Sequence, residues 1–225
     1  MDELLARATE CSVNTYLEDL WQGYLTTRHG HRLGICGQAP VGEHRLLRGL
    51  SSVNIRIARP FLNIGEDLEL CPQGTFPGTL ILSPPGDGKT TLLRALCLRL
   101  SQKYRVAVVD ERHEIAACVD GVPRFPIGNC DVLSGGNKQS GIVTLLRTMS
   151  PQILAVDEIT RTEDCRALLE CIGCGCRLLA SAHGDSSEVL GRRPVYRELL
   201  ASGVFQQVIL IERTAGGRRY TLHSL

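Results

Sequence analysis

Lys89, Thr90 and Thr91 follow a loop that reads Ser83-Pro84-Pro85-Gly86-Asp87-Gly88, and the loop follows a short apolar run, Thr79 to Leu82. Leucines at helical spacing come next (Leu92, Leu93, Leu96). Strand, glycine loop, Lys-Thr and helix in that order make a phosphate cradle. Gly86 and Gly88 let backbone N–H groups curl around phosphate oxygens without Cβ clashes. The N-terminus of the following helix adds partial positive charge. Lys89 can reach β- and γ-phosphates, and the Thr90 hydroxyl can ligate Mg²⁺. Residues Ser83 to Thr91 are therefore expected to bind a nucleoside triphosphate, with ATP and Mg²⁺ as the ligands. Two departures stand out. Ser83 occupies the position of the first glycine of the G-x-x-x-x-G-K-[ST] pattern, and Asp87 puts a carboxylate inside the loop. Facing the nucleotide, Asp87 would cost about 1 kcal/mol in a water-like medium and several-fold more when desolvated, so it is expected to point outward to solvent.

Three further apolar runs end in polar residues: Val106–Val109 in Asp110-Glu111, Ile153–Val156 in Asp157-Glu158, and Arg177–Ala182 in His183-Gly184. Ligands of open parallel sheets sit at the carboxyl ends of strands, so these clusters are expected to meet Lys89 in one crevice. Asp157 is expected to hold Mg²⁺ through water, and Glu158 to orient or deprotonate the attacking water. A P-loop kinase has no need of that glutamate, because its nucleophile is the substrate. Glu111 is the second candidate for the water-positioning role, and His183 is expected to sense the γ-phosphate.

This ordered set resembles the secretion-superfamily ATPases, the hexameric motors of type II and type IV secretion and of type IV pili. The stretches SPPGDGKTTLLRAL, VVDERHEIA, LLRTMSPQILAVDEIT and SAHGDS are similar, in order and spacing, to the stage III sporulation branch of that superfamily. LTTRHGHRLGICGQ and SSVNIRIAR upstream look like its pre-ATPase region, so the resemblance runs from about residue 22 to 212. It implies a RecA-like/AAA+ P-loop fold and an ATPase that powers or assembles an envelope-spanning channel during endospore formation. It further implies a homo-oligomer, of hexameric ring form, and membrane-embedded partner proteins. Members usually carry a longer N-terminal portion, which raises the expectation that the N-terminal region here is incomplete. A nucleotide-binding assembly scaffold with negligible turnover is the alternative.

The elements that must position these residues follow from the patterning. Alternating strand and helix signals after residue 75 imply a mainly parallel sheet flanked by helices, closed by a hairpin around Ala215-Gly216-Gly217. Residues 1–75 read as a small α+β region, with a helix from Asp2 to Tyr24 and strands near Leu33–Cys36 and Val53–Ile57; residues 76–225 read as the ATPase domain. Asp120–Gln139, rich in Gly and Pro, reads as an irregular loop facing a subunit, a substrate or solvent. Arg112, Arg124 and Arg147 are candidates for an arginine finger.

The 225-residue chain is 43% hydrophobic, ample for a core, and its net charge of +1 carries no basic block to engage nucleic acid. No apolar run approaches the roughly 18 residues of a membrane span, and the first residues do not read as a signal peptide. A cytoplasmic protein is expected, reaching the inner face of a membrane through partners. Cys171, Cys174 and Cys176 invite a metal reading. They lack a fourth close ligand, and small buried residues at a helix-to-strand connection is the favoured interpretation.

Lys89→Ala should remove a charge-assisted phosphate contact, about 1.5–3 kcal/mol, or roughly ten- to a hundredfold in ATP affinity. Titration of a folded variant with a fluorescent ATP analogue measures this directly.

Overall fold

The computed structural model describes residues 2–10, 16–21, 23–27, 29–38, 48–57, 63–72, 74–184 and 190–225. The chain divides into two compact units: residues 1–60 with 117–125, and residues 61–116 with 126–225.

The larger unit is built on a seven-stranded sheet in the order β10-β9-β4-β8-β7-β5-β6. Its strands are β4 (Thr79–Ser83), β5 (Val106–Asp110), β6 (Cys130–Ser134), β7 (Ile153–Val156), β8 (Arg177–His183), β9 (Gln207–Thr214) and β10 (Gly217–Ser224). All neighbouring pairs are parallel except β9–β10. The central strands read as unbroken apolar runs because both faces of a parallel sheet are covered; every residue of β4, β5 and β7 is buried. Side chains alternate between the faces. Leu80, Leu82, Val109, Leu154, Val156 and Ala180 share one core with Ile142 and Leu145 of α4 (Lys138–Met149), Leu168 and Cys171 of α5 (Thr162–Gly173) and Leu199 of α6 (Pro194–Ala201). α3 (Lys89–Leu100) packs against β4 and β8 and covers the opposite face. Gly141 lets α4 approach the sheet: a Cβ there would lie 3.0 Å from Val109.

The smaller unit holds α1 (Asp2–Ala8), α2 (Leu17–Trp21) and an antiparallel sheet of β1 (Tyr24–Thr26), β2 (Arg32–Gln38) and β3 (Arg48–Arg56). Leu20, Leu25 and Leu33 form its core, with Leu4, Leu5, Tyr16, Ile35 and Val53 packed around them. The helix expected from Asp2 to Tyr24 is instead two short helices, with Tyr24 in a strand; residues 11–15 lie outside the described residues.

Two further corrections concern the stretch around Asp120–Gln139. Within Asp120–Gln139, Cys130–Ser134 is a strand, not loop. It is an edge strand of half-buried residues, so it lacks the apolar run that marks its neighbours. Residues 117–125 join the smaller unit, where the Phe125 ring fills the space beside Gly30: a Cβ on Gly30 would sit 2.6 Å from it. Helix α6 also went unsignalled, its apolar face confined to two turns.

Cys171 and Cys176 are buried and Cys174 is exposed. A hydrogen bond joins Cys171 to Cys176, lowering the pKa of Cys176 and raising that of Cys171. Among the described residues no group of three or more His, Cys, Asp or Glu is placed to hold a metal ion. No helix among them is long and apolar enough to cross a membrane.

Gly78 leads into β4 and is sandwiched against the start of β9, its carbonyl accepting from the Gln206 and Gln207 N–H groups at 2.8 and 3.2 Å. A Cβ at Gly78 would fall 1.8 Å from the Val204 carbonyl oxygen. Gly78→Ala should therefore cost at least about 1–3 kcal/mol, read as a fall in Tm on the order of 5 °C by thermal unfolding.

Candidate active site

The site residues all belong to the larger unit and stand at the carboxyl ends of β4, β5, β7 and β8. Ser83 closes β4, and Pro84, Pro85 and Gly86 form an exposed crown above it. Gly86 and Gly88 have φ of 81° and 95°, left-handed values that strain any residue with a Cβ. Lys89 opens α3, with Thr91 half-buried in its first turn. The Lys89 side chain is buried and folds back across the loop, donating to the Ser83 and Pro84 carbonyls at 3.0 Å each. Its Nζ also lies 2.7 Å from His183 Nδ1. Burial lowers the pKa of Lys89, opposed by the charges of Asp157, Glu158 and Asp87.

An ammonium only donates, so His183 Nδ1 accepts from it and Nε2 carries the ring proton. Nε2 then donates to Glu158 Oε1, 2.9 Å away. A continuous hydrogen-bonded chain runs from Lys89 at the end of the glycine loop through His183 to Glu158. Beside it, Asp157 is gripped from two sides: Thr90 Oγ1 donates to Oδ2 at 2.6 Å, and Ser181 Oγ donates to Oδ1 at 2.5 Å. Ser181 Oγ also accepts from the Glu158 N–H at 2.9 Å.

Glu158 has φ of 45°, a left-handed conformation in a residue with a side chain, which costs of order 1–3 kcal/mol and persists only where the surroundings enforce it. Ser181 holds its N–H, and the buried Lys138 donates to its carbonyl at 2.7 Å. Lys138 also lies 3.5 Å from Glu111 Oε2 and 3.8 Å from Asp164 Oδ2. Arg112 Nη1 lies 3.0 Å from Glu158 Oε2, so both carboxylate oxygens of Glu158 are engaged. A recess lined by Glu111, Arg112, Lys138, Asp157 and Glu158 opens here.

Lys89, Thr90, Asp157, Glu158, His183 and Glu111 are thus brought together. Asp110 has a different task. Its carboxylate accepts the N–H groups of Glu114, Ile115 and Ala116 at 2.8–3.0 Å, and Arg94 donates to the carbonyls of Glu114 and Ile115 at 2.7 Å, so acid and base together shape the turn after β5. Burial lowers the Arg94 pKa to about 10. Of the arginine-finger candidates, Arg112 pairs with Glu158, Arg124 lies in the smaller unit, and Arg147 sits in the last turn of α4.

Asp87 does not point to solvent. It is buried, with Arg213 Nε of β9 2.5 Å from its Oδ1; a buried carboxylate requires a partner, and the terminal hairpin supplies one. Ser181, Lys138 and Arg213 were not singled out by the motif pattern as site residues. Ser181 carries a local signal, being the one hydroxyl between the apolar residues of β8; Arg213 carries none.

Thr90 and Asp157 present hard oxygen donors side by side, the ligand type suited to Mg²⁺, which usually keeps its other positions for phosphate and water. The exposed, glycine-formed crown fits a phosphate chain.

The fold is that of the P-loop ATPases, a mainly parallel sheet flanked by helices. The structure is similar to that of the pilus retraction motor PilT with bound ADP (TM-score 0.64, 15% identity, covering 96% of this chain and 69% of that one). It is also similar to the Legionella pneumophila ATPase DotB (TM-score 0.55, 15% identity, 94% and 66%). The family model described as Sporulation stage III, protein AA matches residues 1–221. Stage III sporulation protein AA of Bacillus subtilis (strain 168) is 40% identical over 224 residues, 95% of this chain and 73% of that protein. The chain belongs to the Sporulation stage III, protein AA family.

Ser181→Ala keeps the shape of the side chain but leaves the Glu158 N–H and one Asp157 oxygen unpaired. Leaving such a buried group unsatisfied costs about 1–3 kcal/mol, and a urea titration should show that loss as a lower midpoint with unchanged slope.

Proposed function

We propose that this chain binds and hydrolyses ATP as a secretion-type ATPase, and that as an oligomeric ring it powers or assembles an envelope-spanning channel complex during endospore formation. The observation that carries this reading is the chain from Lys89 through His183 to Glu158 beside the Thr90–Asp157 pair. The loop N–H groups and the N-terminus of α3 hold the phosphates. Lys89 exchanges the Ser83 and Pro84 carbonyls for β- and γ-phosphate oxygens. Mg²⁺, held by Thr90 and Asp157, would offset phosphate charge. Glu158 takes the proton of the attacking water as the water oxygen bonds to the γ-phosphorus and the bond from that phosphorus to the β,γ-bridging oxygen breaks, leaving ADP and inorganic phosphate. His183 stands between Lys89 and Glu158, placed to couple the presence of a γ-phosphate to the base. Ring neighbours and membrane-embedded components at the inner face of a membrane complete the assembly.

One observation favours the scaffold alternative: Arg112 and His183 occupy both oxygens of Glu158, and a base so engaged is poorly placed to take a proton. In the motor reading the Arg112–Glu158 pair opens when subunits assemble.

Glu158→Gln keeps the size of the side chain and removes the base, so ATP should bind with near wild-type affinity and persist unhydrolysed. Steady-state turnover across protein concentrations tests both readings. Activity that rises steeply with concentration in wild type and vanishes in the variant fits a ring motor. Tight binding with negligible turnover at every concentration, alone and with membrane partners, overturns the motor in favour of the scaffold.

A further inference from the structure

Asp87 is an acid within a loop that curls around polyphosphate, and its charge is felt nearby: it is one of those that help Lys89 keep its proton. It lies buried against Arg213, the penultimate residue of β9. Arg218 of β10 stands directly across the hairpin from Arg213. The Arg218 side chain borders Gly88, where a Cβ would lie 3.4 Å from its Nε. Facing like charges on paired strands repel each other, so the hairpin carries two cations to the phosphate loop, and the acid of the loop meets one of them. The contact joins residues at opposite ends of the larger unit's sequence. It ties the carboxylate to β9 through Arg213, while Lys89 meets His183 and Asp157 meets Ser181, both of β8, with Thr90 on the other oxygen of Asp157.

We propose that Arg213 is a positioning residue for the nucleotide: it cancels the charge of Asp87 and holds that carboxylate away from the phosphates, making the C-terminal hairpin part of the binding site. The inference rests on the reading of the loop as a triphosphate site. Freed from Arg213, Asp87 would repel the ligand, and the phosphate affinity of the loop would fall.

The test uses the full chain and a fluorescent ATP analogue, with circular dichroism to confirm folding. Arg213→Ala should weaken binding by about tenfold or more, and Arg213→Lys should hold it within a few-fold of wild type. The decisive variant is Asp87→Asn combined with Arg213→Ala. It still lacks the hairpin contact but also lacks the offending charge, so binding should return to within about threefold of wild type. If Arg213→Ala does not fold, Arg213→Gln replaces it in the same comparison. A double variant as weak as the single one would show that the contact merely supports the hairpin and would overturn the proposal, as would wild-type affinity in the single variant. Failure of wild type itself to bind the analogue would overturn the triphosphate reading and this proposal together.

Discussion

The carboxylate of Asp157 is the point on which the site depends, because three elements meet there. β7 delivers it, α3 reaches it through Thr90, and β8 reaches it through Ser181. This is possible only because β8 lies between β4 and β7 in the sheet. With β4 and β7 adjacent, no strand would stand between the loop and the acids, and neither Ser181 nor His183 would fall in the gap. The same serine holds the N–H of Glu158, so the left-handed turn at Glu158 follows from the strand order. Local strain at Glu158 is sustained by the rigid sheet beneath it.

Around this point each buried charge has an assigned counterpart. Lys138 serves the Glu158 carbonyl and stands near Glu111 and Asp164, while Asp164 also accepts the N–H groups of Thr160 and Arg161 ahead of α5. Asp110 and Arg94 satisfy opposite poles of one turn. Removing one member of such a set leaves an uncompensated buried charge, which costs more than the pair contributes. The arrangement therefore favours a single geometry over a range of similar ones.

What the sequence made legible was whatever local pattern encodes. β4, β5, β7 and β8 announce themselves because burial on both faces demands largely apolar runs, and the glycine loop because Gly86, Gly88 and Lys89 lie within four residues. β6 stayed hidden because an edge strand needs no such run. The fate of Asp87 was hidden for a different reason: its partner Arg213 lies far along the chain and sits in no motif. Lys138 falls at the end of a stretch that reads as irregular loop, and nothing in its sequence neighbours predicts that the Glu158 carbonyl, Glu111 and Asp164 will surround it. Asp110 and Glu111 are adjacent in sequence, and only the turn that follows them separates a carboxylate that folds backbone from one that faces the recess.

The chain passes between its two units three times, because residues 117–125 return to the smaller one after β5. The smaller unit is thus unfinished when its first sixty residues have been synthesised, and Phe125 has yet to cover Gly30. On a ribosome it must wait for β4, α3 and β5 to emerge before its last segment is made. A gene fragment cut at residue 60 would release one unit without a piece of its core and leave the other carrying that piece with nothing to rest on.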